Sequence, residues 1–162
     1  VMRKIKKLVA TLLAATMVLA MGVTAFAAEN DSTALAAGTY TANQNLYKDA
    51  ACTNTSMGDA AVNDMWADIT INADNKTATL VVHTHEIKYL GITGHLGKMV
   101  IDGATGVMAT EKVDGVTDYS FTFEGLDASK FYEGCVITGQ FTTYVGVMPM
   151  SSTGYLKLTG IE

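Results

Sequence analysis

The chain has 162 residues, with 16 acidic against 11 basic side chains, a formal charge of −5, and two cysteines with no CxxC spacing. That length holds one compact domain and is short for two. The acidic balance repels phosphate backbones, which excludes nucleic acid as an expected partner, and the cysteine spacing carries no redox or zinc signature.

From its start the chain reads "MRKIKKLVATLLAATMVLAMGVTAFAAEN" after Val1, a secretory signal pattern. Arg3, Lys4, Lys6 and Lys7 form the basic head, Leu8 to Met21 the apolar stretch, and Ala25-Phe26-Ala27 the small-x-small processing site. Cleavage is expected after Ala27, since the stretch is short for a membrane span. Removing 27 of the 162 residues leaves 135, and takes four of the 11 basic residues but none of the 16 acidic ones, so the remainder carries −9. That remainder is expected to be secreted, extracellular and soluble, with no stable membrane insertion. An oxidising compartment allows a Cys52–Cys135 disulfide, which would contribute roughly 4 kcal/mol by closing a long loop, although spacing alone does not make the two meet.

Residues 28–37 lack periodicity and are expected to be a flexible lead-in, with the folded domain spanning 38–162. "GTYTA" opens the first strand. "SMGDAAVND" offers a capping serine, Ser56, and small helix-compatible residues, which predicts one or two helical turns. "MWADITINADNKTATLVVHTHEI" predicts a hairpin, Trp66 to Asn72 and Lys76 to Glu86, with Ile69, Ile71, Leu80 and Val82 on one apolar face. Further strands are expected at "YLGI", "GKMVID", "GVMATEKV", "DYSFTFEG", "GCVITGQFTTYVGVM" and "GYLKLTGI", and one helical revolution at "LDASKFYEG". About eight short strands predict an all-β, immunoglobulin-like antiparallel β-sandwich with a short helix, a closed barrel being the other solution.

Hydrolase and nucleotide motifs do not occur: there is no Gly-x-Ser-x-Gly, Ser-x-x-Lys, phosphate loop or His-Glu-x-x-His, so an enzyme is not expected. Asp64, Asp68 and Glu124 read as solvated surface. His83 and His85, two apart on a strand, share a face, but a metal site needs three or four ligands, and nothing in the sequence fixes His95, in a nearby loop, in place beside them. Of six methionines beyond the leader, Met65, Met99 and Met108 are expected in the core. Met57 lies among small and polar residues on the helical turn. Met148 and Met150 share strand parity around Pro149, the only proline, which is expected at a bend. Thioethers are soft ligands that suit copper(I) and haem iron.

The order of these parts, the Ser-Met turn before a hairpin, then "FTFEGLD", then a terminal hairpin carrying proline, resembles the near-iron-transporter (NEAT) haem-binding family over about Gly38 to Glu162, most closely its streptococcal cell-surface members. The resemblance implies a β-sandwich that holds haem in an apolar slot between a lip helix and the last hairpin, and hands it between haem-donor and haem-acceptor surface proteins without catalysis. The common Tyr-x-x-x-Tyr is incomplete, since Thr159 follows Tyr155. In a streptococcal member, a lip methionine and one from a Pro-Met pair bracket the iron, which maps onto Met57 and Met150, with Met148 the alternative. Ser56 would cap the lip. Tyr144, expected on the face of Met148, and Tyr155 would wall the slot or donate to iron, with Val145, Val147 and Leu156 shielding the porphyrin. Two other readings remain: an adhesion module binding sugar or protein on a platform of Trp66, Tyr144 and Tyr155, and a copper site built from methionine and histidine.

Overall fold

The computed structural model describes residues 33–162, so the expected leader lies outside the described residues. Alternating apolar runs become ten strands: β1 (Gly38–Tyr47), β2 (Trp66–Ile71), β3 (Thr77–His85), β4 (Ile87–Tyr89), β5 (Ile92–Ile101), β6 (Ala104–Thr105), β7 (Val107–Val113), β8 (Val116–Asp127), β9 (Val136–Val145) and β10 (Met148–Thr159). Among the described residues, a 3₁₀ turn at Met57–Ala61 and another at Ala128–Lys130 are the helical pieces, both where the polar and small residues predict them. No helix among the described residues is long and apolar enough to cross a membrane.

All pairings are antiparallel, and the strands form one hydrogen-bonded sheet in the order β4-β5-β9-β10-β1-β2-β3-β8-β7, with β6 beside β5. The sheet folds back on itself, bringing β5 against β3 and β6 against β8. The result is an all-β, sandwich-like domain whose two layers are joined by hydrogen-bonded strands. β4 and β7 stay unpaired with each other, so the barrel does not close. At the crossing from β3 into β4, the Glu86 amide donates to the Thr117 carbonyl at 2.8 Å, which fixes where the chain changes layer.

Residues two apart share a face of a strand, so each buried row marks the inward side. Ala67, Ile69 and Ile71 of β2 meet Val82, Leu80 and Ala78 of β3 in register, as the hairpin pattern predicts. Phe121 and Phe123 of β8, Met99 and Ile101 of β5, Phe141 of β9 and Leu156 and Leu158 of β10 close the same core. Met65 and Met99 are buried as expected, but Met108 is 46% exposed. It lies on β7, an edge strand with nothing packed beyond it, where strand parity does not guarantee burial.

Part of the expected lead-in is anchored. Leu35 packs against the core and its amide donates to the Phe131 carbonyl at 2.9 Å, and the Tyr40 hydroxyl donates to the Ala36 carbonyl at 3.0 Å. Both cysteines are free thiols, Cys135 buried at the start of β9 and Cys52 in the loop after β1, so no disulfide joins them.

Tight hairpins set the register. Asp102-Gly103, Asp114-Gly115 and Leu90-Gly91 all carry positive φ at both positions, the backbone that two-residue turns demand. Asp tolerates this conformation because its short polar side chain bonds locally; leucine has no such compensation.

Candidate functional site

The expected lip is a short, well-fastened segment. The Ser56 hydroxyl accepts from the Gly58 amide at 3.3 Å, capping the turn as its position in the sequence predicts. Asp59, 5% exposed, accepts from the Leu46 amide at 2.6 Å and from Asn63 Nδ2 at 3.2 Å. Buried Gln44 reaches from β1, its Nε2 donating to the carbonyls of Val62 and His83. Gly58 allows the close seating: a methyl added there would stand 3.1 Å from Leu46 Cδ2, 3.4 Å from Leu96 Cδ2 and 3.5 Å from Thr143 Oγ1.

Those three neighbours tie the lip to the last hairpin. Leu96, Thr143 and Met150 lie in one cross-strand row over β5, β9 and β10. The buried residues Leu156 and Gly154 put the even-numbered side of β10 inward. Beyond Gly154 this inward side continues through Ser152, Met150 and Met148, past the end of the core and into solvent. Met57 is 50% exposed, Met150 43% and Met148 66%. At Gly58 the lip therefore lies over Thr143, whose strand partner is Met150.

The sequence placed two features of this hairpin differently. Pro149 is not at the bend, which is Gly146-Val147, with Gly146 at a φ of 59°; Val145 pairs with Met148 across it. Pro149 instead sits two residues into β10, where β10 has β9 on one side only, because pairing with β1 begins at Tyr155. The two-residue turn also reverses the expected parity of Tyr144. It pairs with Pro149, on the face opposite Met148 and Met150, because counting along one strand fails once the chain turns between the two residues. Tyr155 likewise alternates with inward Gly154 and Leu156, and pairs with Tyr47 and Thr138 on the outer side. Neither tyrosine shares the methionine row.

Tyr144 instead belongs to an aromatic stack. The His95 ring lies nearly parallel to those of Tyr119 and Tyr144, with centroids 4.9 and 5.3 Å away. Burial raises the Tyr119 hydroxyl above its ordinary pKa, with the nearby Glu86 charge adding to the effect. His95 is thus held in β5 rather than in a loop.

Beside the methionines, the β4–β5 turn supplies more exposed apolar surface: Tyr89, Leu90 and Ile92. Ile92 Cγ2 would touch a methyl added to Gly146, and the Gly146 amide donates to the Thr93 carbonyl at 2.9 Å, so the two hairpin tips are clamped side by side. Val147, 92% exposed, extends this patch.

On the outer face, His83 and His85 do share a side, each held by a carboxylate that the sequence leaves as bland surface. His83 Nε2 donates to Asp68 Oδ2 at 2.8 Å and stacks on Trp66, while His85 Nε2 donates to Asp64 Oδ1 at 2.7 Å. No group of three or more His, Cys, Asp or Glu suited to a metal occurs among the described residues. Trp66 is buried against His83, and its indole N–H donates to Asp68 at 3.3 Å, so it is no open platform. Asp68 was legible as outward by alternation with Ile69 and Ile71; the Asp64–His85 partnership needed the hairpin register and had no local signal.

No family model, curated protein or solved structure matches the chain.

Proposed function

We propose that the protein is an extracellular, non-enzymatic haem-binding protein that captures haem and passes it from donor to acceptor surface proteins, towards a membrane transporter. One observation carries the reading: Met57 on the lip and Met150 on β10 are both exposed, and Thr143 is approached by the lip's Gly58 and paired with Met150. Exposed methionines invite oxidation and add little to packing, so their presence on the lip and the last hairpin suits a ligand. The donor set fits haem: thioethers are soft, and methionine is an established axial ligand type for haem iron. Met57 and Met150 would hold the two faces of the group, with Met148 the alternative to Met150. Ile92, Val145 and Val147 would cover its apolar edge, and burial of that edge supplies most of the affinity. When bound, haem supplies an iron centre that the thioethers stabilise in its reduced state. Tyr144 and Tyr155, on the other face of the hairpin, are not assigned to iron.

Titration of the protein with hemin tests this. A saturable Soret band is expected, shifted in Met57→Ala and in Met150→Ala, with Met148→Ala deciding which thioether of β10 is used. Absence of a sharp band, or a band indifferent to all three substitutions, overturns the reading.

A further inference from the structure

The pairing register shows where the layer of β4, β5, β9 and β10 ends. Ile87, Gly94, Val145 and Met148 form one cross-strand row. Beyond that row the two hairpins extend by six residues, Lys88 to Thr93, and by two, Gly146-Val147, and the Gly146 amide clamps them together on the Thr93 carbonyl. The two tips thus make one blunt end. Four of its eight residues are large and apolar: Leu90 and Val147 stand almost free of the protein, and Tyr89 and Ile92 are half-exposed. The turn itself does not ask for leucine, since Asp102 and Asp114 hold the same positive-φ position at two other hairpins.

Charge is distributed to match. Lys88 is the charged member of the eight. No acidic residue occurs between Glu86 and Asp102 or between Glu133 and Glu162, so both hairpins carry lysine alone while the rest of the chain holds all 16 carboxylates. A negatively charged surface would therefore repel the body of the protein and admit this end.

Shape decides what that surface is. A stable protein interface takes about 20–30 residues from each side, far more than two turns supply. A bilayer boundary accepts a convex apolar protrusion without a matching surface, tyrosine favours headgroup depth, and a lysine behind the tip meets lipid phosphate.

We propose that this end docks on a phospholipid bilayer bearing anionic headgroups, with Leu90 and Val147 entering the acyl boundary, Tyr89 and Ile92 at headgroup level and Lys88 on lipid phosphate. The contact is peripheral and reversible, because these side chains bury less than one acyl chain, itself a marginal anchor. Haem is not needed for it. Ile92 and Val147 are shared with the proposed haem contact, but Lys88, Tyr89 and Leu90 are not.

The test uses hemin-free protein from residue 28 onward, because the apolar leader would itself enter lipid. It is sedimented with vesicles of phosphatidylcholine and phosphatidylglycerol in equal parts, and with phosphatidylcholine alone. Saturable binding to the mixed vesicles is expected, weaker on phosphatidylcholine and reduced by added salt. Leu90→Asp should lower it about tenfold, the equivalent of about 1.4 kcal/mol, in a turn whose backbone suits aspartate. Lys88→Glu should remove the preference for phosphatidylglycerol. Val107→Asp changes an exposed valine just after β6, which pairs with the opposite end of β5, and should bind as the parent does. Leu90→Asp should also keep its Soret band with hemin, so failure of either reading leaves the other standing. Equal or no binding to the two vesicles, binding unchanged in Leu90→Asp, a preference unchanged in Lys88→Glu, or an equal loss in Val107→Asp overturns the proposal. So does a dimer, seen by light scattering without lipid, that Leu90→Asp dissolves, since the tips would then serve a second copy of the chain.

Discussion

The buried carboxylate of Asp59 accepts a hydrogen bond from the Leu46 backbone amide at 2.6 Å, and this contact holds the lip turn onto β1. The same carboxylate engages Asn63, so one side chain supports both the turn and the segment that follows. Asp59→Ala would leave the buried Leu46 amide without its acceptor, a loss of about 1–3 kcal/mol. Urea denaturation should show that loss, and hemin affinity should fall although all three methionines remain. Unchanged hemin affinity would separate the lip from the haem site.

Leu90 is 87% exposed and sits at a φ of 49°, in a turn position that Asp fills at two other hairpins. Both its exposure and its backbone disfavour leucine. Leu90→Asn is therefore expected to raise stability, by about 0.5–1 kcal/mol, measured as a rise in the denaturation midpoint. A residue kept against its local preference suits a tip that contacts something, so the same variant should weaken haem transfer to an acceptor more than it weakens hemin binding.

Gly97 lies beneath the Tyr144 ring: a methyl there would stand 2.5 Å from two of its carbons. Gly97→Ala should displace Tyr144 from His95 and cost about 1–3 kcal/mol by overpacking. Because Tyr144 faces away from Met150, the Soret band should survive this substitution. A band lost in Gly97→Ala but kept in Asp59→Ala would reverse the assignment of faces.

Both thiols are free, but only one is ready to react. Burial raises the Cys135 thiol above its ordinary pKa, which suppresses the thiolate, while Cys52 is partly exposed. In the folded protein, iodoacetamide should label Cys52 first and reach Cys135 only on unfolding. Mass spectrometry of the folded and urea-treated protein checks the order; labelling of neither in urea without reductant would mean a disulfide.

Three turns depend on ionised aspartates. The Thr53 amide lowers Asp49, the Lys76 amide lowers Asp74, and the Ser129 hydroxyl lowers Asp127, each below the ordinary carboxylate value. A group held low when folded takes up its proton more readily when unfolded, so its stabilisation is complete above the unfolded pKa and disappears as pH falls through the folded one. Stability should therefore decline below the ordinary aspartate range, and replacing all three by alanine should flatten that decline. Thermal melts across the acid range measure it.

Alternation alone made the β2–β3 hairpin legible, because a two-sided strand must bury every second residue and Ile69, Ile71, Leu80 and Val82 leave one way to do so. Ser56 as a cap and the short turn behind it were equally local, since the orphan amides at the start of a turn are satisfied from within a few residues. The number of strands and their order were not local facts. They depend on which edges find each other after the chain has crossed layers at Glu86. The methionines divide the same way. That Met148 and Met150 share a face follows from their spacing, but that the lip comes to lie over Thr143, the strand partner of Met150, depends on Gly58 seating against Leu46 and Leu96 from distant strands. Tyr144 was misplaced because parity counts through a strand and not through a turn, and only the position of the bend at Gly146-Val147 fixes its face. His83 and His85 announced themselves by spacing; the carboxylates that hold them, and the Glu111–Asp118 row beside them, were joined by register alone. Local sequence therefore determined which residues point the same way, because that is set by backbone geometry between near neighbours. Which of those rows meet was decided by the folding of the whole sheet, because burial of the common core selects among many pairings that no short stretch can distinguish.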